Sequence, residues 1–597
     1  MEVLTNLLDE CVESSVDEET FLKRLSKSAD LFSKELEEVR QPLSILFSHL
    51  SDLHRQELNG RWARIIKNAF APIFFQSDPA DYVIGNPPWV NWESLPDEYR
   101  RSTMMLWDHY GLFPKRDKGM ETILGAAKYD ISMLMIYVST DKYLAPGGKI
   151  GFVLSQSLFK TAAAGQGFRR FALPDGTTFG PLVVEDMQEL KPFEGATNRT
   201  VVAVFRKGNR VHFPVPYSYW VKKATGHGSG IDFDTPYQAV ANDLVTFRRW
   251  DATHVNPDDA TSAWITGKPK ALRAMRNVVG RADYVARAGT FTGGANAVYW
   301  VEVLGERPGD ILIIANIIEG AKKKVERTNA AIESELVYPL LRGADVSHWT
   351  ATPNAHIILT HEPTTRLKAI PERRMQTDYP KAFAYFKRFE DMLRKRAAFR
   401  RYFKEDAPFY SIFNIGEYTF SKWKVVWREQ ASGLTAAVVG PLKHKVVIPD
   451  HKLMLVALET GDEAHYMCAA LNSSPSRLVV ASYAVDISMD THILQNVHIP
   501  TFSEKNATHR KLAELSKVAH KAAASGDRGK VAIAEQEIDE AARKLWGLND
   551  EEMEDIRGSL IDRGISGFEW EKARALTRKV RKSLSAEVLR ARDRDES

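Results

Sequence analysis

Cysteine is almost absent from this chain: Cys11 and Cys468 are the only two among 597 residues. Two cysteines so far apart build no disulfide framework and no cysteine zinc site, and they suit a reducing compartment. Long apolar runs are missing as well. The longest, ILIIANII at 311–318, falls far short of the roughly 20 residues that a membrane helix needs. The opening MEVLTNLLDECVESS is acidic where a signal peptide would be basic and then apolar. There is no Gly-x4-Gly-Lys-Ser/Thr loop, which excludes a P-loop ATPase. No Asp followed by Asp/Glu-x-Lys stands in a strand-like setting and no His-Asn-His arrangement occurs, so no nuclease centre is legible; IPDHK at 448–452 comes nearest. The 16 histidines include no ligand-spaced pair with a carboxylate in reach, so no metal is expected. Charge of one sign is scarce too. A net charge of +4 permits nucleic acid as a partner without demanding it. These absences lead us to expect a soluble, cytoplasmic protein with no membrane partner.

What is present is ordinary globular material: 44% hydrophobic, 26% charged and 10% aromatic residues, enough for several packed cores. Residues 1–75 read as a helical segment, with acidic residues opening DEETFLKRLSKSADLFSKELEEV and apolar ones at three-to-four spacing. From 76 to 210 strands alternate with helices. DYVIG, KIGFVLS (149–155), LVVEDM and TVVAVFRK (200–207) read as strands, DISMLMIYVSTDKYL (130–144) as an amphipathic helix, APGG as a turn, and GFRRFAL as a helix. That alternation indicates an α/β fold with a doubly wound, largely parallel sheet. Residues 211–275 form a mixed connecting region, and 276–505 a region rich in strands, turn glycines and aromatics. Helices follow in 506–597, one of them beginning at Asn549. The tail from Glu571 carries nine Lys/Arg against five Asp/Glu. It reads as a solvated helix face or as a phosphate-contacting one.

The stretch DYVIGNPPWVNW, residues 81–92, is hard to explain as packing. Two prolines remove two backbone donors and fix two φ angles, and they keep Asn86 and Pro87 out of the helical region. A rigid turn thus presents an amide, carbonyls and an indole just beyond a strand, where α/β sheets bind ligands. An adenine has a matching exocyclic amine and a flat ring. The Asn86 side-chain oxygen and the Pro87 carbonyl can accept both amine hydrogens, and Trp89 can stack on a base taken out of the duplex. Such stacking contributes about 1–3 kcal/mol per base, against a few kcal/mol to unstack and unpair it.

On those residues the chain resembles the N6-adenine DNA methyltransferases. DYVIGNPPW is similar to their catalytic loop, DISMLMIYVSTDKYLAPGGKIGFVLSQSLF to the helix, turn and strand after it, and LKPFEGATNRTVVAVFRK to a later motif whose aromatic packs on the flipped adenine. The resemblance implies that Asn86 and Pro87, followed by Pro88, hold the amine, that Trp89 stacks, and that Phe193 supports the base from its other side. Further on, FTGGANAVYWVEV, SELVYPLLRGADVSHW, TFSKWKVVWRE, IPDHKLMLVAL and EAHYMCAALNSSPSRLVV resemble the target recognition domains of fused restriction–modification enzymes, and ILQNVHIPTF with ARKLWGLNDEEMEDI resembles their ends. The implied protein is a partial Rossmann-like methyltransferase sheet, then a mixed α+β recognition domain, then helices. It would act on double-stranded DNA with S-adenosylmethionine, in a bacterial restriction or phage-defence system.

One departure from that family matters. The cofactor turn and its acidic strand end should precede the catalytic loop, yet the residues before DYVIG read as helices with Gly60 as their only glycine. GTFTGGANA at 289–297 has glycines but no helix pattern after it. Without the first strands, DYVIG becomes an apolar edge strand, a hazard unless covered. Three expectations stand. A second polypeptide completes the sheet and brings the cofactor, with Asp130 and the Asn86 loop forming one wall of the joint pocket. Alternatively the chain is a non-catalytic DNA-binding specificity module, or the N-terminal helices simply cap the edge.

Overall fold

The computed structural model describes residues 2–28, 33–56, 75–113, 129–161, 164–190, 199–223, 234–321, 325–363, 368–403, 407–431, 433–483 and 489–565, with a few single residues between them. The basic tail and the Gly60 segment lie outside them. The chain divides into two compact units. The first comprises Met1–Leu154, Phe171–Val184 and Val202–His212; the second comprises Ser155–Arg170, Glu185–Val201 and Phe213–Ser597.

In the first unit the N-terminal helices expected from the periodicity are present as α1 (Glu2–Glu13), α2 (Glu18–Ser28) and α3 (Ser33–Arg55). Leu8, Cys11, Phe21, Leu25 and Phe47 bury their side chains together, with Phe21 stacked on Phe47 at 4.6 Å. The strands β1 (Ala80–Gly85), β2 (Leu144–Ser155), β3 (Phe179–Asp186) and β4 (Thr200–Lys207) lie in the order β1-β2-β4-β3. Among the described residues β1 is therefore an edge, as the sequence led us to expect. It pairs with β2 in parallel. Helices α4 (Asp97–His109) and α5 (Ser132–Lys142) stand between them in sequence.

Two local readings differ from the structure. APGG is not a turn ahead of the strand but a bulge inside β2: Ala80 pairs with Leu144 and Tyr82 with Lys149, so the extra residues loop out opposite Asp81. Gly148 is needed there, because a Cβ would meet the Ala145 carbonyl at 2.9 Å and the Asp81 carbonyl at 3.0 Å. GFRRFAL makes only a single 3-10 turn, Phe168–Arg170. Phe171 then turns left-handed, with φ 44°, and Ala172 pairs with Thr178, which ends any helix.

In the second unit β5 (Val215–Lys222), β6 (Val245–His254) and β7 (Trp264–Gly267) form an antiparallel meander. The β-rich region beyond it holds two larger sheets. One runs Asn329–Glu333, Ile311–Asn316, Trp300–Arg307, Ala355–Ile358, Val337–Leu341, Ile448–Pro449 from edge to edge; the other runs Ala436–Val439, Trp423–Arg428, Leu453–Leu458, Arg287–Ala288. The fold is thus mixed α/β with parallel and antiparallel pairing. Helices Ala507–Ala524, Arg528–Leu545 and Asp550–Asp562 close the chain, the last capped by Asn549 and Glu552 as a reciprocal box.

Arg396 organises part of this second unit. It is fully buried, yet its guanidinium meets four carbonyls rather than a carboxylate: Leu393, Thr292, Phe409 and Ser411, at 2.7–2.8 Å. The Thr292, Phe409 and Ser411 carbonyls would otherwise be buried without a donor, at about 1–3 kcal/mol apiece. Arg396→Leu should therefore lower the unfolding free energy by at least about 3 kcal/mol, read as a fall in the denaturant midpoint with tryptophan fluorescence.

Candidate active site

β1 delivers Asn86 to the carboxyl end of an edge strand, and Pro87–Pro88 prevents the chain from continuing either as strand or as helix. Asn86 and Pro88 are exposed, Pro87 is buried and Trp89 is half-buried. The loop is then sewn down at three points. Trp89 donates its indole N–H to the Val153 carbonyl on β2 at 3.2 Å. The Trp92 amide donates to the Tyr129 carbonyl at 2.6 Å, and the Ile131 amide to the Val90 carbonyl at 3.0 Å. The last two make a short antiparallel pairing centred on Asn91 and Asp130. The position of the Asn86 turn is thereby fixed to both β2 and the start of α5.

Below the turn lies a cavity of about 580 Å³. Ile84, Gly85, Asn86, Pro87 and Pro88 form one side; Phe152 of β2, Tyr99 and Leu106 of α4, and Met135 and Ser139 of α5 form the others. Its walls are mainly apolar, suited to a flat ring with a few polar atoms at the mouth. The same region leaves large apolar groups in solvent. Ile84 is 87% exposed, Met105 81% and Tyr82 72%.

Asp130 reaches the loop through its backbone, but its carboxylate is committed locally. It is 5% exposed and accepts the Ser132 amide at 2.9 Å, holding the first turn of α5. Burial pushes its carboxyl above the usual range, with the Ser132 bonds acting against the shift. Phe193 belongs to the other unit, where it is 39% exposed. The structure therefore brings Asn86, Pro87, Pro88, Trp89 and Asp130 into one loop system, and Phe193 is described apart from them.

The sequence reading passed over α4, which supplies Tyr99 and Leu106. Its signal was available: Pro96, then Asp97 and Glu98, then an apolar face ending in Trp107. It also passed over a buried polar network in the second unit, just past β2. Asp186 is fully buried and accepts from the Gln156 amide at 2.6 Å, the Gln188 amide at 3.0 Å and the Tyr217 hydroxyl. Lys160, 2% exposed, donates to the Thr266 hydroxyl at 3.3 Å. Burial, aided by the Arg563 charge, lowers its ammonium to about 7. Partners so far apart in sequence leave no local pattern to read. Among the described residues no cluster of His, Cys, Asp or Glu could hold a metal ion, and no helix is long and apolar enough to cross a membrane.

A family model described as Eco57I restriction-modification methylase matches residues 17–178, which include the Asn86 loop and Asp130. Among curated proteins the chain is similar to the Type II methyltransferase M.NspV of Nostoc sp. (strain ATCC 29411 / PCC 7524), at 27% identity over 146 residues. That alignment covers 24% of this chain and 29% of the relative. Similar solved structures include the Type IIL restriction-modification enzyme MmeI in complex with DNA, at 10% identity, 85% of this chain, 59% of that one and a TM-score of 0.46. Another is a nuclease-deletion mutant of the Type ISP restriction-modification enzyme LlaGI in complex with a DNA substrate mimic, at 11% identity, 84% of this chain, 50% of that one and a TM-score of 0.36. The matches span less than two thirds of each of these proteins. The methylase resemblance of the Asn-Pro-Pro-Trp stretch thus coincides with a methylase family model, which does not specify the base.

The loop's attachment can be tested directly. Trp89→Phe keeps the ring and removes the N–H to Val153, a loss of about 1 kcal/mol. Amide exchange at Trp92 and Ile131 should accelerate several-fold, while that of the second unit stays unchanged.

Proposed function

We propose that this chain supplies the catalytic loop and the DNA-reading region of an S-adenosylmethionine-dependent adenine-N6 DNA methyltransferase of a restriction or phage-defence system, and that a second polypeptide supplies the cofactor-binding half. The observation that carries this is the Asn86-Pro87-Pro88 turn, fixed at the end of β1 above an apolar cavity. The methylase match over residues 17–178 supports it. On this reading β1 to β4 are the catalytic half of a doubly wound sheet, and 276–505 is the recognition domain.

In the complex the Asn86 Oδ1 and the Pro87 carbonyl accept the two hydrogens of the target amine. The nitrogen then becomes more pyramidal, and its lone pair turns toward the electrophile. Trp89, tied to Val153, is the stacking surface for the extruded base. Among the described residues we find no complete site for the cofactor. The cavity lining includes no carboxylate to receive a ribose, and Asp130 is occupied by Ser132. Exposed Tyr82 and Ile84 on an unpaired strand edge suit a partner that adds strands there. We expect such an interface to exceed about 1,000 Å².

Asn86→Ala should lower methyl transfer by at least about a hundredfold in the co-expressed complex, with duplex affinity changed little, because the amide acts on the reacting amine while affinity comes mainly from phosphates. Methylation at the wild-type rate would refute the assignment. Calorimetry should find that the chain alone binds S-adenosylmethionine more weakly than a Kd of about 1 mM, whereas the complex binds it tightly. Tight binding to the isolated chain would overturn the two-polypeptide reading.

A further inference from the structure

The second unit carries a surface rich in cations, with Asp391 as an exposed carboxylate on the same stretch. Two short helices, Glu390–Arg394 and Ala397–Tyr402, and the Lys395–Arg396 link between them hold many cations, and the neighbouring acids are taken up by only some of them. Glu390 pairs with Lys387 and Arg394, and Glu372 also faces Arg394. Lys395, Arg400 and Arg401 are exposed and pair with no carboxylate among the described residues. Arg400 donates to the Lys395 carbonyl at 3.1 Å, which keeps those two side by side. Arg401 lies 5.2 Å over the ring of Tyr402, and that ring is 65% exposed.

A glycine turn adjoins this patch. Gly293 and Gly294 both take left-handed conformations, with φ 69° and 84°. Neither amide meets an acceptor among the described residues, and a Cβ on Gly294 would meet nothing within 4 Å, so the turn opens outward. A Cβ on Gly293 would approach Phe413 at 3.1 Å and the Arg396 side chain at 3.3 Å. Phe413 in turn contacts the Tyr402 ring at 6.1 Å, and Arg396 holds the Thr292 carbonyl at 2.7 Å. The buried guanidinium thus fixes the turn to the helix that bears the cations.

We propose that Gly293, Gly294, Lys395, Arg400, Arg401 and Tyr402 form the surface on which this chain seats the sugar–phosphate backbone of a DNA duplex, an assignment that rests on the DNA-methyltransferase reading above. The chemistry selects the backbone over the bases. Arg, Lys and backbone N–H groups donate to phosphate oxygens, and successive amides on a turn form an anion-receiving concavity. Base reading draws on Asn, Gln or a carboxylate as well as on cations, and the patch includes no such side chain. It positions the duplex and carries no sequence information.

The test uses the full chain and a fluorescein-labelled duplex of about 30 base pairs and mixed sequence, titrated from about 50 to 300 mM salt. Lys395→Gln/Arg400→Gln/Arg401→Gln is compared with Lys511→Gln/Lys517→Gln/Lys521→Gln on helix Ala507–Ala524, which removes the same charge elsewhere. Each lost phosphate contact lowers the slope of log K against log salt by about 0.9, so the patch variant should lose about two to three units and the comparator almost none. The loss should be equal on duplexes of different sequence. Equal losses in both variants, or an unchanged slope in the patch variant, would overturn the assignment while leaving the methyltransferase reading intact. An unchanged slope together with lost binding to poly-glutamate would give the patch to an acidic protein instead. No salt-dependent duplex binding by the wild-type chain would overturn both readings.

Discussion

The chemistry of the first unit hangs on one constraint: the backbone cannot continue past Gly85 in any regular structure. Pro87 and Pro88 have no amide to give a sheet or a helix, so β1 must stop where its carboxyl end meets solvent. A loop stopped this way would be free to wander if nothing held it. Three bonds prevent that, from Trp89 to Val153, from Trp92 to Tyr129 and from Ile131 to Val90. The exposed Asn86 is consequently presented by fixed neighbours on β2 and α5. The role proposed for Asn86, meeting a small amine at hydrogen-bond distance, needs that rigidity, since catalysis weakens steeply with misplacement.

The edge position of β1 follows from the same region and has the opposite character. A strand edge that is unpaired among the described residues, with Tyr82 and Ile84 exposed, is normally selected against. Met105 on α4 extends the exposed apolar area beside the cavity mouth. A surface of this kind is explained by something that covers it. The proposed second polypeptide would bury the edge and bring the carboxylate and glycine turn that the cavity lining lacks.

The second unit uses polar burial in a different way. Arg396 and the Asp186 network replace apolar packing with hydrogen-bonded polar groups, an arrangement that is costly to break but fixes geometry. In Arg396 that geometry is the position of the Gly293–Gly294 turn relative to the cationic helix. A hydrophobic residue there would leave the Thr292, Phe409 and Ser411 carbonyls without a donor and could not orient them.

Much was legible from sequence because it depends on neighbours in the chain. The strands β1 to β4, α5, the helices after residue 506 and the Asn549 cap follow from side-chain periodicity and capping chemistry. The Asn-Pro-Pro-Trp turn follows from proline alone. Asn86, Pro87, Pro88 and Trp89 could therefore be singled out as one turn, and even the edge character of β1 could be argued from what the preceding residues lack. Tertiary structure decided the rest. The APGG bulge forms because β1 and β2 must realign around Asp81. Asp130 turns inward to Ser132 because the loop pairs with its backbone. The donor patch exists only where Phe413 and Arg396 bring residue 293 beside residue 402. Contacts between segments a hundred residues apart leave no periodic trace, since each segment's own pattern reflects only which face it buries and not what it meets there.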